Sequence, residues 1–179
     1  MGSCHNTKYF TDESSANIYV QPFADFGFKS IFSFHQFIED TLTNFLQNGK
    51  RYSTLSPALA LSNNLSGANL LLDFTAGSFH AVYLTDKKVN FYNAFEIENH
   101  EEFNYYLLLM CKQLKIDQQL TSVFVSGIIH EDDSNFKVLN KYFSKVSLSI
   151  PEANNLDYSL LEDMPAQYYT NLLALNLCE

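Results

Sequence analysis

The chain has 179 residues, 46% hydrophobic and 17% charged, which suits one domain, or one domain and part of another, and excludes a disordered chain. Its net charge of -9 disfavours binding to nucleic-acid phosphates or to anionic membrane lipid. Its three cysteines form no CxxC pair, so neither a zinc knuckle nor a disulfide scaffold is predicted. We find no signal peptide and no apolar run near the ~20 residues of a membrane span, and therefore expect a cytoplasmic protein.

The first third of the chain has an irregular pattern. Residues 16–28 contain apolar side chains but also proline and glycine, so no element is predicted there. Residues 30–34 predict a short strand, and residues 35–46 predict an amphipathic helix. A second short helix is predicted to begin with Ser56 as its N-cap, followed by proline. The apolar side chains expected on one side of the first helix are Phe37, Ile38, Leu42, Phe45 and Leu46.

The middle of the chain is regular and predicts three strands. Residues 68–75 and 79–84 are rich in apolar residues, and residues 89–97 alternate between apolar and polar. The connections between them are short turns, so the three strands should form an antiparallel meander. In the first strand Asp73 lies on the opposite face from the residues expected in the core, which are Leu70, Leu72 and Phe74.

Helices and strands alternate in the rest of the chain. Asn99 is a suitable N-cap for a helix whose apolar stripe is Phe103, Leu107, Met110 and Leu114. A strand at 121–126, a helix centred on Leu139 and a strand at 146–150 follow. Pro165 opens a last helix, and its inward-facing residues are expected to be Tyr168 or Tyr169, Leu172 and Leu175.

The order of elements is therefore strand-strand-strand-helix-strand-helix-strand-helix. Each strand that follows a helix should pair in parallel through a right-handed crossover, which gives a five-stranded mixed sheet in an α/β domain. This order is typical of the ribonuclease H-like fold, which is also the fold of each lobe of an actin-like ATPase.

Four stretches resemble a family of uncharacterised bacterial proteins catalogued as domain of unknown function 3822. They are VNFYNAF at 89–95, EFNYYLL at 102–108, VFVSG at 123–127 and LNLCE at 175–179. None is a catalytic motif, so the resemblance implies a fold rather than an activity. The family is similar to two-lobed actin-like proteins, such as those of cell division and pilus assembly. The resemblance implies that residues 68–179 form a complete lobe and that residues 1–67 form a partial N-terminal lobe, shortened at its start.

The same resemblance implies a place for a nucleotide. In actin-like ATPases an acidic residue at the end of the first strand helps to hold metal and phosphates, so Asp73 is the candidate metal ligand. Gly77, Ser78, Ser126 and Gly127 are the candidate phosphate-binding residues around it. A phosphate loop needs glycines beside the acid, however, whereas residues 73–78 contain one glycine and a bulky phenylalanine. The alternative is that Asp73 caps the hairpin turn through its side chain.

A metal-dependent nuclease would need further carboxylates around Asp73. Glu101 or Glu102 could supply a second ligand, and the stretch 130–133 contains His130, Glu131, Asp132 and Asp133. The alternative is that these acids stabilise the N-termini of the helices that follow them, where acidic residues are common. A solvated loop is the other interpretation of 130–133, because adjacent residues rarely converge on one ion. Cys111, within an amphipathic helix, is expected to be a small core residue.

The sequence favours a non-catalytic actin-like domain that acts through protein–protein contacts and needs no cofactor. ATP binding with Mg²⁺ is the alternative, and nuclease activity is a remote one. A protein partner or a second copy of the chain is expected rather than nucleic acid or membrane. Aromatic residues dense in the first third belong either to a core or to an interface. They are Tyr9, Phe10, Phe23, Phe26, Phe28, Phe32 and Phe34.

Overall fold

A computed structural model of the protein describes residues 17–46, 49–150, 161 and 163–178. The chain divides into two compact units, of which the first ends at Ser53 and the second begins at Thr54. The assignment of residues 1–67 to a partial lobe and of residues 68–179 to a complete lobe stays a prediction. None of the helices in the described residues is long and apolar enough to cross a bilayer.

The first unit contains a β-hairpin followed by a helix. Strands β1 (Asn17–Phe23) and β2 (Phe28–Phe34) pair antiparallel, and helix α1 (Gln36–Phe45) follows. The sequence predicted β2 and α1 but missed β1. Pro22 suggested a break there, whereas this two-stranded sheet accommodates it opposite Lys29. Both strands of such a sheet are edge strands, where a residue without an N–H is tolerated.

The aromatic residues of the hairpin pack against one another. Tyr19 of β1 stacks on Phe32 of β2 with ring centroids 5.6 Å apart, and Phe34 meets Tyr19 edge-on at 5.9 Å. Phe23 and Phe28 form a second pair at 5.1 Å. Part of the aromatic excess is thus a small cluster on one face of the hairpin. Tyr9 and Phe10, which were expected to belong to a core or to an interface together with these residues, lie outside the described residues.

Helix α1 turns its apolar residues towards solvent. Phe37 is 74% exposed and Phe45 is 83% exposed, whereas the buried residue of the helix is Glu39. Glu39 is held by an ion pair with Arg51, whose Nη2 lies 2.7 Å from the Glu39 Oε1. The prediction of an amphipathic helix is confirmed, but its apolar side is not the side that packs within this unit.

The second unit is an α/β domain with a five-stranded sheet. Its strands are β3 (Ala68–Thr75), β4 (Ser78–Thr85), β5 (Lys88–Glu96), β6 (Ser122–Gly127) and β7 (Lys145–Leu148). Its helices are α2 (Ser56–Ser62), α3 (His100–Leu114), α4 (Ser134–Tyr142) and α5 (Thr170–Ala174). Short 3-10 turns, Ala166–Tyr169 and Leu175–Leu177, flank α5.

The sheet confirms the predicted topology. Its strands lie in the order β5-β4-β3-β6-β7, in which β3, β4 and β5 are antiparallel and β6 and β7 are parallel to β3. Short turns make β3, β4 and β5 an antiparallel meander, and the helices that precede β6 and β7 allow these two strands to pair in parallel. The N-cap of α2 is Leu55, without a side-chain cap, rather than the predicted Ser56, which lies inside the helix.

The core lies between one face of the sheet and helices α3 and α4. Leu70, Leu72 and Phe74 of β3 belong to the same buried cluster as Phe103 of α3 and Leu139 of α4, as the alternation predicted. The last helical segment begins after Pro165, as predicted, but the prediction that Leu172 and Leu175 face inward was wrong. The buried residues of α5 are Thr170 and Ala174, whereas Leu172 and Leu175 are exposed.

Candidate functional site

Asp73 and Ser126 meet at the carboxyl ends of two neighbouring parallel strands. They are paired in the register of β3 and β6, and the Ser126 Oγ donates a hydrogen bond of 2.7 Å to the Asp73 Oδ1. Ser126 is buried and Asp73 is half-buried. The hairpin turn after Asp73 is closed instead by the hydroxyls of Thr75 and Ser78, 2.6 Å apart. The structure therefore contradicts the alternative that Asp73 caps this turn.

Gly127 allows the two strand ends to approach closely. Its φ is +85°, and a Cβ at this position would lie 2.0 Å from the carbonyl oxygen of Phe74. The same Cβ would lie 2.9 Å from the Asp73 Oδ1. The next residue, Ile128, donates its N–H to the Phe74 carbonyl at 2.8 Å. Only glycine fits this backbone without displacing β3 or the Asp73 carboxylate.

Asp73 and Ser126 lie in the floor of an open groove of about 740 Å³. Helix α2 and the segment 171–177 border it, and strands β3 to β6 together with residues 148–150 complete its lining. The exposed apolar residues that line it are Ile150, Leu172, Leu175 and Leu177. Asp73 is the only carboxylate among the lining residues, and no lysine or arginine lines the groove in the described part of the chain.

A row of polar side chains continues from Asp73 across the groove. His80 lies directly opposite Asp73 in the antiparallel pairing of β3 and β4. The His80 Nδ1 lies 3.3 Å from the hydroxyl of Tyr92 on β5, and that hydroxyl lies 2.8 Å from the Thr54 Oγ1. Sequence analysis did not single out His80, Tyr92 or Thr54. The alternation of β4 could have placed His80, but the Thr54–Tyr92 contact spans 38 residues and left no local signal.

Gly77 and Ser78 lie apart from this groove. They line a second pocket, of about 520 Å³, together with Ala76, Glu96, Ile97, Glu98, Glu102 and Tyr106. Three carboxylates in this small space repel a phosphate. Of the five residues predicted for a phosphate site, the structure thus brings together Asp73, Ser126 and Gly127.

Three of the acids considered for a nuclease site lie at helix N-termini: Glu101 and Glu102 in the first turn of α3, and Asp133 as the N-cap of α4. The Asn99 Oδ1 accepts hydrogen bonds from the N–H groups of Glu101 and Glu102, and the Glu102 carboxylate accepts one from the Glu98 N–H at 2.8 Å. The Asp133 Oδ1 accepts one from the Asn135 N–H at 2.7 Å. Within the residues that the structure describes, no three metal-ligating side chains of the His, Cys, Asp or Glu type form a cluster.

Two cysteines of the second unit are buried free thiols. Cys111 lies in the core, as predicted, and Cys178 donates a weak hydrogen bond to the carbonyl of Ala174 at 3.4 Å. Burial raises the pKa of both thiols above the usual value, which keeps them protonated and unreactive near neutral pH.

Comparisons with known proteins support this fold. A family model described as "Protein of unknown function (DUF3822)" matches residues 4–146. A Bacteroides thetaiotaomicron protein "with actin-like ATPase fold and unknown function" superposes with a TM-score of 0.73 at 17% identity, over 96% of this chain and 62% of that one. This chain therefore spans less than two thirds of that protein. No curated protein matches the sequence significantly.

Two further structures have lower similarity. The PilM protein of a "PilM-PilN type IV pilus biogenesis complex" superposes with a TM-score of 0.56 at 12% identity, over 97% of this chain and 70% of that one. A filament of AlfA bound to AMPPNP gives a TM-score of 0.43 at 18% identity, over 69% of this chain and 44% of that one. At these identities the likeness of the Bacteroides protein and of PilM shows a shared actin-like fold.

Proposed function

Because the chain belongs to the DUF3822 family, whose function is unknown, and has an actin-like fold, we propose that it is a non-catalytic domain that works through protein contacts. The groove lining carries this proposal. Exposed leucine and isoleucine side chains border the groove, and Asp73 is the one carboxylate in the part of its lining that the structure describes. A mostly apolar surface that also contains polar groups suits side chains of another protein. PilM, which shares the fold, was solved in a complex with a protein.

Nucleotide binding is the second candidate, and one observation favours it. Asp73, Ser126 and Gly127 converge where two parallel strands end, which is a common position for ligands in α/β sheets. In this alternative Asp73 would hold Mg²⁺, which would neutralise phosphate charge, and Ser126 and Gly127 would lie beside the phosphates of ATP. The residues present fit this role poorly. No lysine or arginine lines the groove within the described residues, and Gly77 and Ser78 lie in the second pocket, beside three carboxylates.

A nuclease mechanism fits less well. Two metal ions need several carboxylates converging on the same space, whereas Asp73 is the one carboxylate among the described residues that line the groove. We therefore propose neither ATP hydrolysis nor phosphodiester cleavage for this protein.

Calorimetry separates the two candidates. We expect no heat of binding when ATP with Mg²⁺ is titrated into the protein, and no phosphate release on prolonged incubation. ATP binding at micromolar affinity that is lost in Asp73→Asn and kept in Glu98→Gln would contradict the contact function and support nucleotide binding instead. The Glu98→Gln control removes a charge of the same sign from the second pocket.

The contact function also leaves open a second copy of the chain as partner. Sedimentation velocity over a hundredfold range of concentration distinguishes self-association from binding of a different protein. A dimer that dissociates in Leu172→Gln would identify the groove as a homotypic interface, because Leu172 lines it and is exposed.

A further inference from the structure

We infer that the groove binds a short apolar segment of a partner protein that carries one lysine or arginine, and that the basic group meets Asp73. The inference rests on the proposed contact function and narrows it to one surface and one ligand chemistry. The lining of the groove supplies both parts of the argument: where the charge lies, and where the apolar area lies.

The charge is the Asp73 carboxylate, which lines the groove at the end of β3. Among the described residues the Asp73 carboxylate accepts a hydrogen bond from Ser126 through Oδ1, and a carboxylate can accept up to about four. Acceptor capacity therefore remains. Among the lining residues that the structure describes, no lysine or arginine neutralises this half-buried charge. A covering ligand without a donor would leave the carboxylate buried without a counter-charge, which is strongly unfavourable.

The position of His80 and Ser126 favours a cation over a neutral donor. Ser126 donates to Asp73 from one neighbouring strand, and His80 lies opposite Asp73 on the other. The imidazole Nδ1 lies near the Tyr92 hydroxyl, which in turn lies near Thr54. Among the described lining residues Asp73 carries the one formal charge, so the groove floor is anionic and attracts a Lys or Arg head. The net charge of -9 also attracts a positively charged partner segment at long range.

The apolar area lies along the border formed by the C-terminal segment. The exposed residues that line this border are Leu172, Leu175 and Leu177. Ile150, which follows β7 in the chain, is also exposed and lines the groove. Covering this row with apolar side chains removes it from water. The long stem of a Lys or Arg can pack along such a border while its head reaches the floor. A volume of about 740 Å³ is in the range of sites that hold drug-sized ligands.

Selection from a random peptide library tests the ligand chemistry. The full chain is immobilised, bound 12-residue peptides are recovered, and synthetic versions are measured by fluorescence polarisation. We expect the selected peptides to share apolar residues around one Lys or Arg. Selection of acidic peptides, or of apolar peptides without a basic residue, overturns the inference, as does the absence of any enrichment.

A double-mutant cycle tests the contact with Asp73. Asp73→Asn in the protein and Lys→norleucine in the peptide should each weaken binding about tenfold, and the two changes together should weaken it little further. Asparagine keeps an oxygen that can accept the Ser126 hydrogen bond, so the fold should survive, which thermal unfolding checks. Additive effects of the two changes would show that the basic residue binds elsewhere and would overturn the inference.

A matched pair of leucines tests the surface. Leu172 lines the groove and is 59% exposed, whereas Leu120 does not line the groove and is 69% exposed. Leu172→Gln should reduce peptide affinity about tenfold or more, and Leu120→Gln should leave it unchanged.

The results of these experiments distinguish a failure of the groove inference from a failure of the proposed contact function. Peptide binding that is lost in Phe45→Ser and unchanged in Leu172→Gln would overturn the groove as the site and leave the contact function standing. Absence of peptide binding together with ATP binding that depends on Asp73 would overturn both.

Discussion

Helices α1 and α3 are both amphipathic, but they use opposite sides for packing. In α3, Phe103 is 0% exposed and Leu107 and Met110 are buried in the same core. In α1, Phe45 is 83% exposed and Glu39 is the buried residue. An apolar stripe at helical spacing therefore predicts a helix in both cases but does not identify what covers the stripe.

The two helices differ in the kind of contact that anchors each of them. Helix α3 packs through aromatic and aliphatic side chains on the sheet, with the Phe103 ring 5.2 Å from that of Phe74. Helix α1 is anchored by polar groups, since the Arg51 Nη2 contacts both the Glu39 carboxylate and the Thr43 hydroxyl. Apolar packing depends on burial and little on pH, whereas a carboxylate–guanidinium contact depends on protonation.

The largest expected effect tests the two apolar stripes. Phe103→Ala should lower the free energy of unfolding by about 3–5 kcal/mol, because it leaves a cavity in a closely packed core. Phe45→Ala should change it by no more than about 0.5 kcal/mol, because the ring is largely in solvent. Urea unfolding followed by circular dichroism measures both variants. Equal losses would mean that Phe45 is covered in solution and that the contrast between the helices is wrong.

A smaller effect tests how tightly the second unit is packed beside the candidate site. Gly127 and Gly67 both have positive φ, but only at Gly127 would a Cβ meet other atoms. Gly67→Ala should cost about 1–2 kcal/mol from backbone strain alone. Gly127→Ala should cost about 2–5 kcal/mol, because overpacking against the Phe74 carbonyl is added.

Thermal unfolding of the two glycine variants checks this difference. Equal losses of stability would mean that the ends of β3 and β6 are further apart in solution. A Cβ at position 127 would then lie more than 2.0 Å from the carbonyl oxygen of Phe74. The Asp73–Ser126 hydrogen bond, which depends on the same approach, would then also be longer.

Much of the second unit could be predicted because its signals are local. The alternation in β3 placed Leu70 and Leu72 inward and Asp73 on the other face, and Asn99 marked the start of α3. The short turns and the helices between strands indicate how the strands pair. Because β3 and β6 are parallel neighbours, Asp73 and Ser126 lie together at their carboxyl ends.

What the sequence could not predict depends on contacts between distant residues. Strand β1 was missed because Pro22 is a local break signal, whereas the pairing with β2 that accommodates it is tertiary. Leu172 was placed inward by its helical spacing, yet it lines an open groove. Tyr92 joins the site through a hydroxyl near Thr54, and no pattern within either segment indicates that contact.

The smallest expected effect is a pH dependence confined to the first unit. The Tyr19 hydroxyl, followed by the Arg51 guanidinium, holds the pKa of the Glu39 carboxyl below its ordinary value of 4.5. In return, the Glu39 carboxylate raises the pKa of Tyr19. A lowered folded-state pKa means that the ionised form stabilises the fold at pH above 4.5. That stabilisation is lost as the pH falls through the lower folded-state value.

Glu39→Gln should therefore lower the melting temperature of the first unit near neutral pH and make it less sensitive to pH between 6 and 3. The change removes the charge that pairs with Arg51 while keeping a side chain of similar size. Asp40→Asn is the matched control, because Asp40 lies next to Glu39 on the exposed side of α1 and bonds only Gln36 among the described residues. It should keep the acid dependence of the unaltered protein. If Glu39→Gln and the unaltered protein lose stability in parallel on acidification, polar anchoring does not hold α1. Its exposed apolar side would then have to contribute to the packing of the unit, as the corresponding side of α3 does.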